Sequence, residues 1–262
     1  MGIEVFNRYE NKFLLDTATF EKVVERIRYY TEPDAYLKDH DFYTISNVYY
    51  DTADDYLISK SLSKPVYKEK LRLRAYGVPD PDGKVYLEIK KKVKGLVNKR
   101  RTQLRLKEAY TFVETGEMPE LKPYMNKQVL NEITYLLSVY KPVPKVYLAY
   151  DRRAYFSREN PDLRITFDTN IRTRRTDLRL EHGDHGDILM DRDQWLMEIK
   201  AERALPMWLS RLLSEYKIFQ TSYSKYGKEF ENRITGSEKW KGVYIPCWIS
   251  SSVQKQQAAQ LL

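Results

Sequence analysis

Three short segments of this chain place an ammonium two residues after a carboxylate: Glu10-Asn-Lys12, Glu88-Ile-Lys90 and Glu198-Ile-Lys200. On an extended strand that spacing puts both groups on one face, roughly 6.5–7 Å apart. The stretch Lys68-Glu-Lys-Leu-Arg-Leu-Arg-Ala-Tyr76 continues the theme. Lys68, Lys70, Arg72 and Arg74 share one face, and Leu71, Leu73 and Ala75 share the other. Tyr150-Asp-Arg152 and Arg164-Ile-Thr-Phe-Asp168 also carry charge at alternate positions. One such strand is an ordinary solvated surface. Five or six, dominated by Arg and Lys with few glutamates, read as the walls of one charged interior.

Phosphate chemistry suits such an interior. Crowded cations need a multivalent counter-ion, Arg and Lys donate to phosphate oxygens, and carboxylates hold the Mg²⁺ or Mn²⁺ that phosphates bring. The expected ligand is a chain of phosphates with a divalent cation. By pattern alone, metal binding is shared among Glu10, Glu88 and Glu198.

The charge is concentrated. Residues 64–107 hold 15 Lys and Arg against 4 Asp and Glu, a local net of +11 in a chain whose total is +8. A field of that kind points to a polyanionic partner. Nucleic acid is not expected, because no nucleic-acid motif is present and the cations alternate with aliphatics rather than exposed aromatics. A single cysteine, Cys247, excludes an internal disulfide framework and fits a reducing compartment. No leader segment and no apolar run long enough to span a bilayer is visible, so a cytoplasmic protein is expected. His182 and His185 read as solvated loop residues. Lys91, Lys92, Arg100 and Arg101 read as outer-surface charge, since a run cannot face one side.

These side chains need elements to hold them. Pro79-Asp-Pro-Asp-Gly83 is a turn signal, so 68–76 and 85–90 form a hairpin with one apolar and one charged face. Asp16 or Thr17 can cap a helix over 17–30, with Phe20, Val23, Val24 and Ile27 on its inner face. A second amphipathic helix covers 125–140, and a third begins at Pro206. Strands are expected at 43–51, 145–156, 163–171 and 194–201, with a loop or short hairpin at 176–187. The organisation expected is a single domain over 1–249 with a flexible tail over 250–262. Closing an antiparallel sheet gives every strand an inside and an outside face.

Taken in order, several motifs resemble the polyphosphate polymerase domain of vacuolar transporter chaperone (VTC) proteins, within the CYTH-like triphosphate tunnel metalloenzyme superfamily. They are Arg8-Tyr-Glu-Asn-Lys-Phe13, Tyr49-Tyr-Asp51, Leu71-Arg-Leu-Arg-Ala-Tyr-Gly77, Leu87-Glu-Ile-Lys90, Tyr150-Asp-Arg152, Leu163-Arg-Ile-Thr-Phe-Asp-Thr169, Met197-Glu-Ile-Lys200 and Tyr223-Ser-Lys225. The resemblance implies an α+β fold: a closed eight-stranded antiparallel barrel with helices packed outside. It implies transfer of the terminal phosphate of ATP onto a growing polyphosphate chain with Mn²⁺ or Mg²⁺. Its lumen cations would be Lys12, Arg72, Arg74, Lys90, Arg152, Arg164 and Lys225. Lys99, Tyr150, Lys200 and Ser224 would also contact phosphate, and Glu198 is the metal ligand it singles out. The hydrolytic branch carries Glu-x-Glu-x-Lys on the first strand, and Arg8 in place of the first Glu favours the polymerase-like branch. The alternatives are a triphosphatase of the same fold and a non-catalytic polyphosphate-binding module. Coupling synthesis to transport would need a separate membrane protein partner.

Overall fold

The computed structural model describes residues 9–236 apart from 38, 39, 95 and 203. Arg8, Cys247, the tail from 250 and both limits of the expected 1–249 domain lie outside the described residues. Eleven strands form one antiparallel sheet: β1 (Tyr9–Asp16), β2 (Thr31–Pro33), β3 (Tyr43–Asp51), β4 (Tyr67–Tyr76), β5 (Lys84–Val93), β6 (Leu96–Arg105), β7 (Val143–Ser157), β8 (Arg164–Arg174), β9 (Asp187–Ile188), β10 (Gln194–Ala201) and β11 (Gln220–Thr221). Among the described residues six α-helices accompany them: α1 (Thr17–Ile27), α2 (Tyr56–Leu62), α3 (Leu106–Thr115), α4 (Lys127–Tyr140), α5 (Met207–Glu215) and α6 (Lys225–Gly236). The strand order is β11-β1-β10-β8-β7-β3-β4-β5-β6, with β2 added to β7 and β9 to β8.

The expected α+β class and antiparallel sheet are present. The closed eight-stranded barrel is not: the sheet has eleven strands and stays open between β6 and the β1–β11 edge. The reason sits at that edge. β11 pairs with β1 through only two residues, Lys12 to Thr221 and Phe13 to Gln220, and offers β6 no ladder to complete. Eight of the strands are eight residues or longer and form the wall, and the other three are two or three residues long.

The β4–β5 hairpin follows the expected alternation. Leu71, Leu73, Ala75, Val85, Leu87 and Ile89 are buried, packing with Ala109 and Phe112 of α3 and Leu130 and Ile133 of α4. Gly83 closes the turn by donating its N–H to the Asp80 carbonyl at 2.7 Å. A Cβ there would lie 2.8 Å from that same oxygen. A second apolar layer joins α1 and α5 to β1, β8 and β10 through Phe20, Val24, Leu209, Phe167 and Met197. Asp16 caps α1, accepting from the Thr19 N–H at 2.7 Å. Trp208, at the start of α5, is only partly buried and stacks on Tyr30 with centroids 4.2 Å apart.

The helices are not all outside. Tyr226 and Phe230 of α6 and Ile58 of α2 pack against Ile45, Tyr49, Leu148, Tyr150 and Leu196. Those strand residues share the pleat phase of Asn47, Arg152 and Glu198, which is the concave face. That face is therefore apolar at one end, where α2 and α6 sit, and charged elsewhere. No described helix is long and apolar enough to cross a membrane.

Candidate functional site: a basic cavity in the concave face

Curling the sheet brings its inner faces together around a cavity of about 1260 Å³. Among the described residues that line it, 14 are Lys or Arg and 3 are Glu. Strand alternation accounts for the supply: β4 contributes Lys68, Lys70, Arg72 and Arg74, and β5 contributes Lys90 and Lys92. Lys92 thus faces inward, against the outer-surface reading. Lys91 and Arg100 do lie outside, where both pair with Glu132 of α4. Arg101 is on the inner phase of β6, its guanidinium 4.5 Å from the centroid of Tyr86.

Four carboxylates organise the cations. Glu88 is 1 % exposed and pairs with Arg72 at 2.7 Å, Lys99 at 2.7 Å and Arg74 at 3.7 Å. Burial alone would push its carboxyl up, but Arg74, Lys99 and Arg72 hold it well below the usual carboxylate range. Asp168 is fully buried, clasped by both nitrogens of a bidentate Arg152 at 2.6 and 2.7 Å and by Lys225 at 2.6 Å. Glu198 meets Lys12 at 3.2 Å, Lys225 at 3.4 Å and Lys200 at 3.6 Å. Desolvation opposes its charge, yet Lys12, Lys225 and Lys200 keep it strongly ionised. Glu10 pairs with Lys90 at 2.7 Å, and despite burial Lys90 and Lys200 hold its pKa down to about 2.

The remaining donors sit between these anchors. Arg72 also donates to the Tyr49 hydroxyl at 3.0 Å, and Arg74 to Asn47 at 2.9 Å and Tyr150 at 3.2 Å. The Lys225 ammonium lies 4.4 Å from the centroid of Tyr150. Lys70 donates to Ser224 Oγ at 3.1 Å and has no carboxylate partner among the described residues. Burial first, then Lys68, Lys90 and Lys12, push its pKa down to about 7. Burial likewise lowers Lys200 to about 8, against the pull of Glu198 and Glu10. Ser224 precedes α6 and accepts from the Gly227 N–H at 3.1 Å, so the positive end of that helix opens into the cavity. Gly227 permits this approach, since a Cβ there would sit 2.9 Å from a Leu62 methyl.

The structure thus gathers Lys12, Arg72, Arg74, Lys90, Lys99, Tyr150, Arg152, Lys200, Ser224 and Lys225 around one cavity, with Glu10 and Glu198. It does not bring Arg164 to that lining. Its guanidinium turns to Asp34 at 3.2 Å and the Tyr43 hydroxyl at 3.3 Å. Glu88 lies behind the lining, 1 % exposed and ion-paired with its three cations. Asp168 and Lys70 were not singled out as site residues, although Lys70 lies in the cation alternation and Asp168 on the charged face of its strand. His182 pairs with Asp177 in an exposed loop, apart from the cavity.

Among the described residues no group of three or more His, Cys, Asp or Glu side chains converges as a ready-made metal cage. Glu198 and Glu10 nevertheless fit a hard divalent cation. Both are ionised and both line the cavity, and such ions commonly take one or two carboxylates with substrate phosphates completing the shell. Glu88 does not fit, because it is buried behind Arg72, Arg74 and Lys99 and does not line the cavity.

The model of the VTC domain matches residues 7–232 of this sequence. The chain belongs to the VTC domain family. The expected family is therefore borne out over most of the chain. In fold, this VTC domain is similar to a Bacillus halodurans protein bearing an adenylate cyclase name, at 14 % identity and a TM-score of 0.54, covering 90 % of this chain and 100 % of that one. A Hippeastrum protein described as an adenylyl cyclase with dominant triphosphatase activity aligns at 15 % identity and a TM-score of 0.46, over 93 % and 98 % of the two chains. The Mimivirus capping enzyme triphosphatase aligns at 10 % identity and 0.36, over 82 % and 89 %. Only the first likeness is close enough to speak for the fold, and it speaks for nothing more. No curated protein matches in sequence.

Proposed function

We propose that this VTC domain is a metal-assisted phosphotransferase that moves the terminal phosphate of ATP onto a polyphosphate end inside the cavity. The observation that carries the reading is the lining itself, a large concave space whose cations outnumber its carboxylates by 14 to 3. Arg72, Arg74, Arg152 and Lys225 would grip the triphosphate oxygens, and their own carboxylate partners hold them in place beforehand. Phosphoryl transfer asks mainly for positioning and charge stabilisation, because the transferred group passes through a loose state. The acceptor end is already an anionic oxygen, which explains how the site can work without a Ser-His pair or a strong general base. The bond between the terminal phosphorus and its bridging oxygen breaks, and ADP leaves with that oxygen. Held by Glu198 and Glu10, Mn²⁺ or Mg²⁺ would supply neutralisation of the phosphate oxygens.

Incubating the pure protein with ATP and Mn²⁺ tests the reading. Long phosphate polymer supports it, orthophosphate with ADP makes the domain a triphosphatase, and no turnover makes it a binding module. Glu198→Gln should abolish metal-dependent turnover yet retain polyphosphate binding through the remaining cations. Normal activity in Glu198→Gln with loss in Glu10→Gln would move the metal to the neighbouring strand. Localisation in the cytoplasm and a separate membrane partner belong to the same proposal, for which a pull-down from membranes is the direct check.

A further inference from the structure

At one end of the concave face the alternation of cations gives way to rings. Continuing inward-facing positions, β4 passes from Arg72 and Arg74 to Tyr76, and β5 passes from Glu88 to Tyr86. Tyr43 on β3 and Tyr36 in the short turn before it complete the group. Tyr36 lies 5.6 Å from Tyr43 and 5.9 Å from Tyr76, the latter nearly parallel at 8°. Tyr76 meets Tyr43 at 6.2 Å and Tyr86 edge-on at 6.0 Å. Arg101 stacks on Tyr86, and Arg164 reaches the Tyr43 hydroxyl.

These are not core residues. Tyr36 is 62 % exposed and Tyr76 41 %, so a rack of rings stands in water beside a highly charged cavity. The join between rack and cavity is direct. Tyr86 is the cross-strand partner of Arg74, and Tyr43 is the cross-strand partner of Arg152. Both arginines line the cavity. A ligand whose phosphates lie on those arginines would place its next group among the tyrosines. Inorganic phosphate chains have no planar group to use them. A nucleoside triphosphate has one.

We propose that the Tyr36–Tyr43–Tyr76–Tyr86 rack stacks the base of a nucleoside triphosphate whose phosphates enter the cavity past Arg74 and Arg152. This rests on the phosphotransferase reading and extends it by assigning the non-phosphate end of the donor. Stacking uses the π-face that every base carries, so the rack should accept ATP and GTP nearly alike. Arg101 and Arg164 at its margin add a cationic edge without a base-specific pair.

Equilibrium binding of ATP, GTP and inorganic triphosphate separates the two claims. In wild type all three should bind. In Tyr36→Ala/Tyr76→Ala the Kd for ATP and GTP should rise about tenfold, the loss of roughly one stacked base, while inorganic triphosphate binds unchanged. Tyr36→Phe/Tyr76→Phe should restore nucleotide binding because the rings remain. If the alanine pair disturbs the fold, seen as a fall in Tm, Tyr36→Ala alone on its exposed turn carries the same test. Unchanged nucleotide affinity, or equal weakening of nucleotide and triphosphate, overturns the rack while leaving the cavity's role intact. Failure of wild type to bind triphosphate at all overturns the phosphotransferase reading itself.

Discussion

Glu88→Gln should disturb this domain far more than the exchange of one oxygen for an amide suggests. The side chain is 1 % exposed, and three cations depend on it: Arg72, Arg74 and Lys99. Breaking a buried ion pair from one side costs about 3–5 kcal/mol, because the partner charges stay buried without compensation. Arg72 and Lys99 keep 17 % and 25 % of their side chains exposed to the cavity, which favours the lower end. At about 2–4 °C per kcal/mol for a domain of this size, Tm should fall by roughly 6–12 °C. Inorganic triphosphate should recover part of that loss, because it binds only the folded state and replaces the missing counter-charge; at 100 times its Kd it contributes about 2.7 kcal/mol. The carboxyl is held below its usual range, so its stabilisation is complete above that range and is lost as pH falls through the depressed value. Wild-type and variant Tm values should therefore begin to approach one another only below about pH 4 and meet only near the depressed value. Thermal melts across pH, with and without triphosphate, are the assay. A ligand-free variant melting within about 2 °C of wild type at pH 7 would refute the account of Glu88 as the anchor of the cations.

Arg74→Ala should weaken triphosphate binding by about 1.5–3 kcal/mol, the worth of one charge-assisted contact, with a smaller fall in Tm than Glu88→Gln; calorimetric titration beside a melt reads both. Triphosphate affinity should decline from pH 7 to 9, because Lys70, with a pKa of about 7, and Lys200, with one of about 8, lose the protons that a polyanion needs. Lys70→Arg should remove the part of that fall near pH 7 and leave the part due to Lys200, since a guanidinium stays charged; a flat wild-type profile would mean that both lysines are well solvated. Leu73→Asp should abolish folding, as the carboxylate would enter the layer between the β4–β5 hairpin and the outer helices; a cooperative melt near wild type would show the strand phase to be reversed.

The β4–β5 hairpin was legible because strict alternation and a turn signal specify strand, register and face together. Helices α1 and α4 were legible for the same reason at a different period. The position of α6 was not. Tyr226 and Phe230 mark an amphipathic helix, but periodicity states which side is apolar and not whether it faces a convex or a concave surface. Asp168 was visible on a charged face, and Arg152 is its cross-strand partner on β7, yet its contact with Lys225 depends on α6 entering the concavity. Arg164 went the other way. It shares the phase of the lumen residues, but Asp34, 130 residues earlier, captures it at the end of the strand. The open edge was equally hidden, because a two-residue β11 leaves almost no trace in hydrophobic pattern.

That open edge bears on mechanics. In a ring of hydrogen-bonded strands the bore is fixed by backbone ladders, and widening it means breaking several at once. Here the last span of the circuit is bridged by side chains, chiefly Lys90 on β5 reaching Glu10 on β1. On the proposed function, a phosphate chain bound there would compete with Glu10 for Lys90 and so weaken the contact across the gap. The width on that side therefore depends on an ion pair rather than on a ladder, and salt, which screens such a pair, should weaken it.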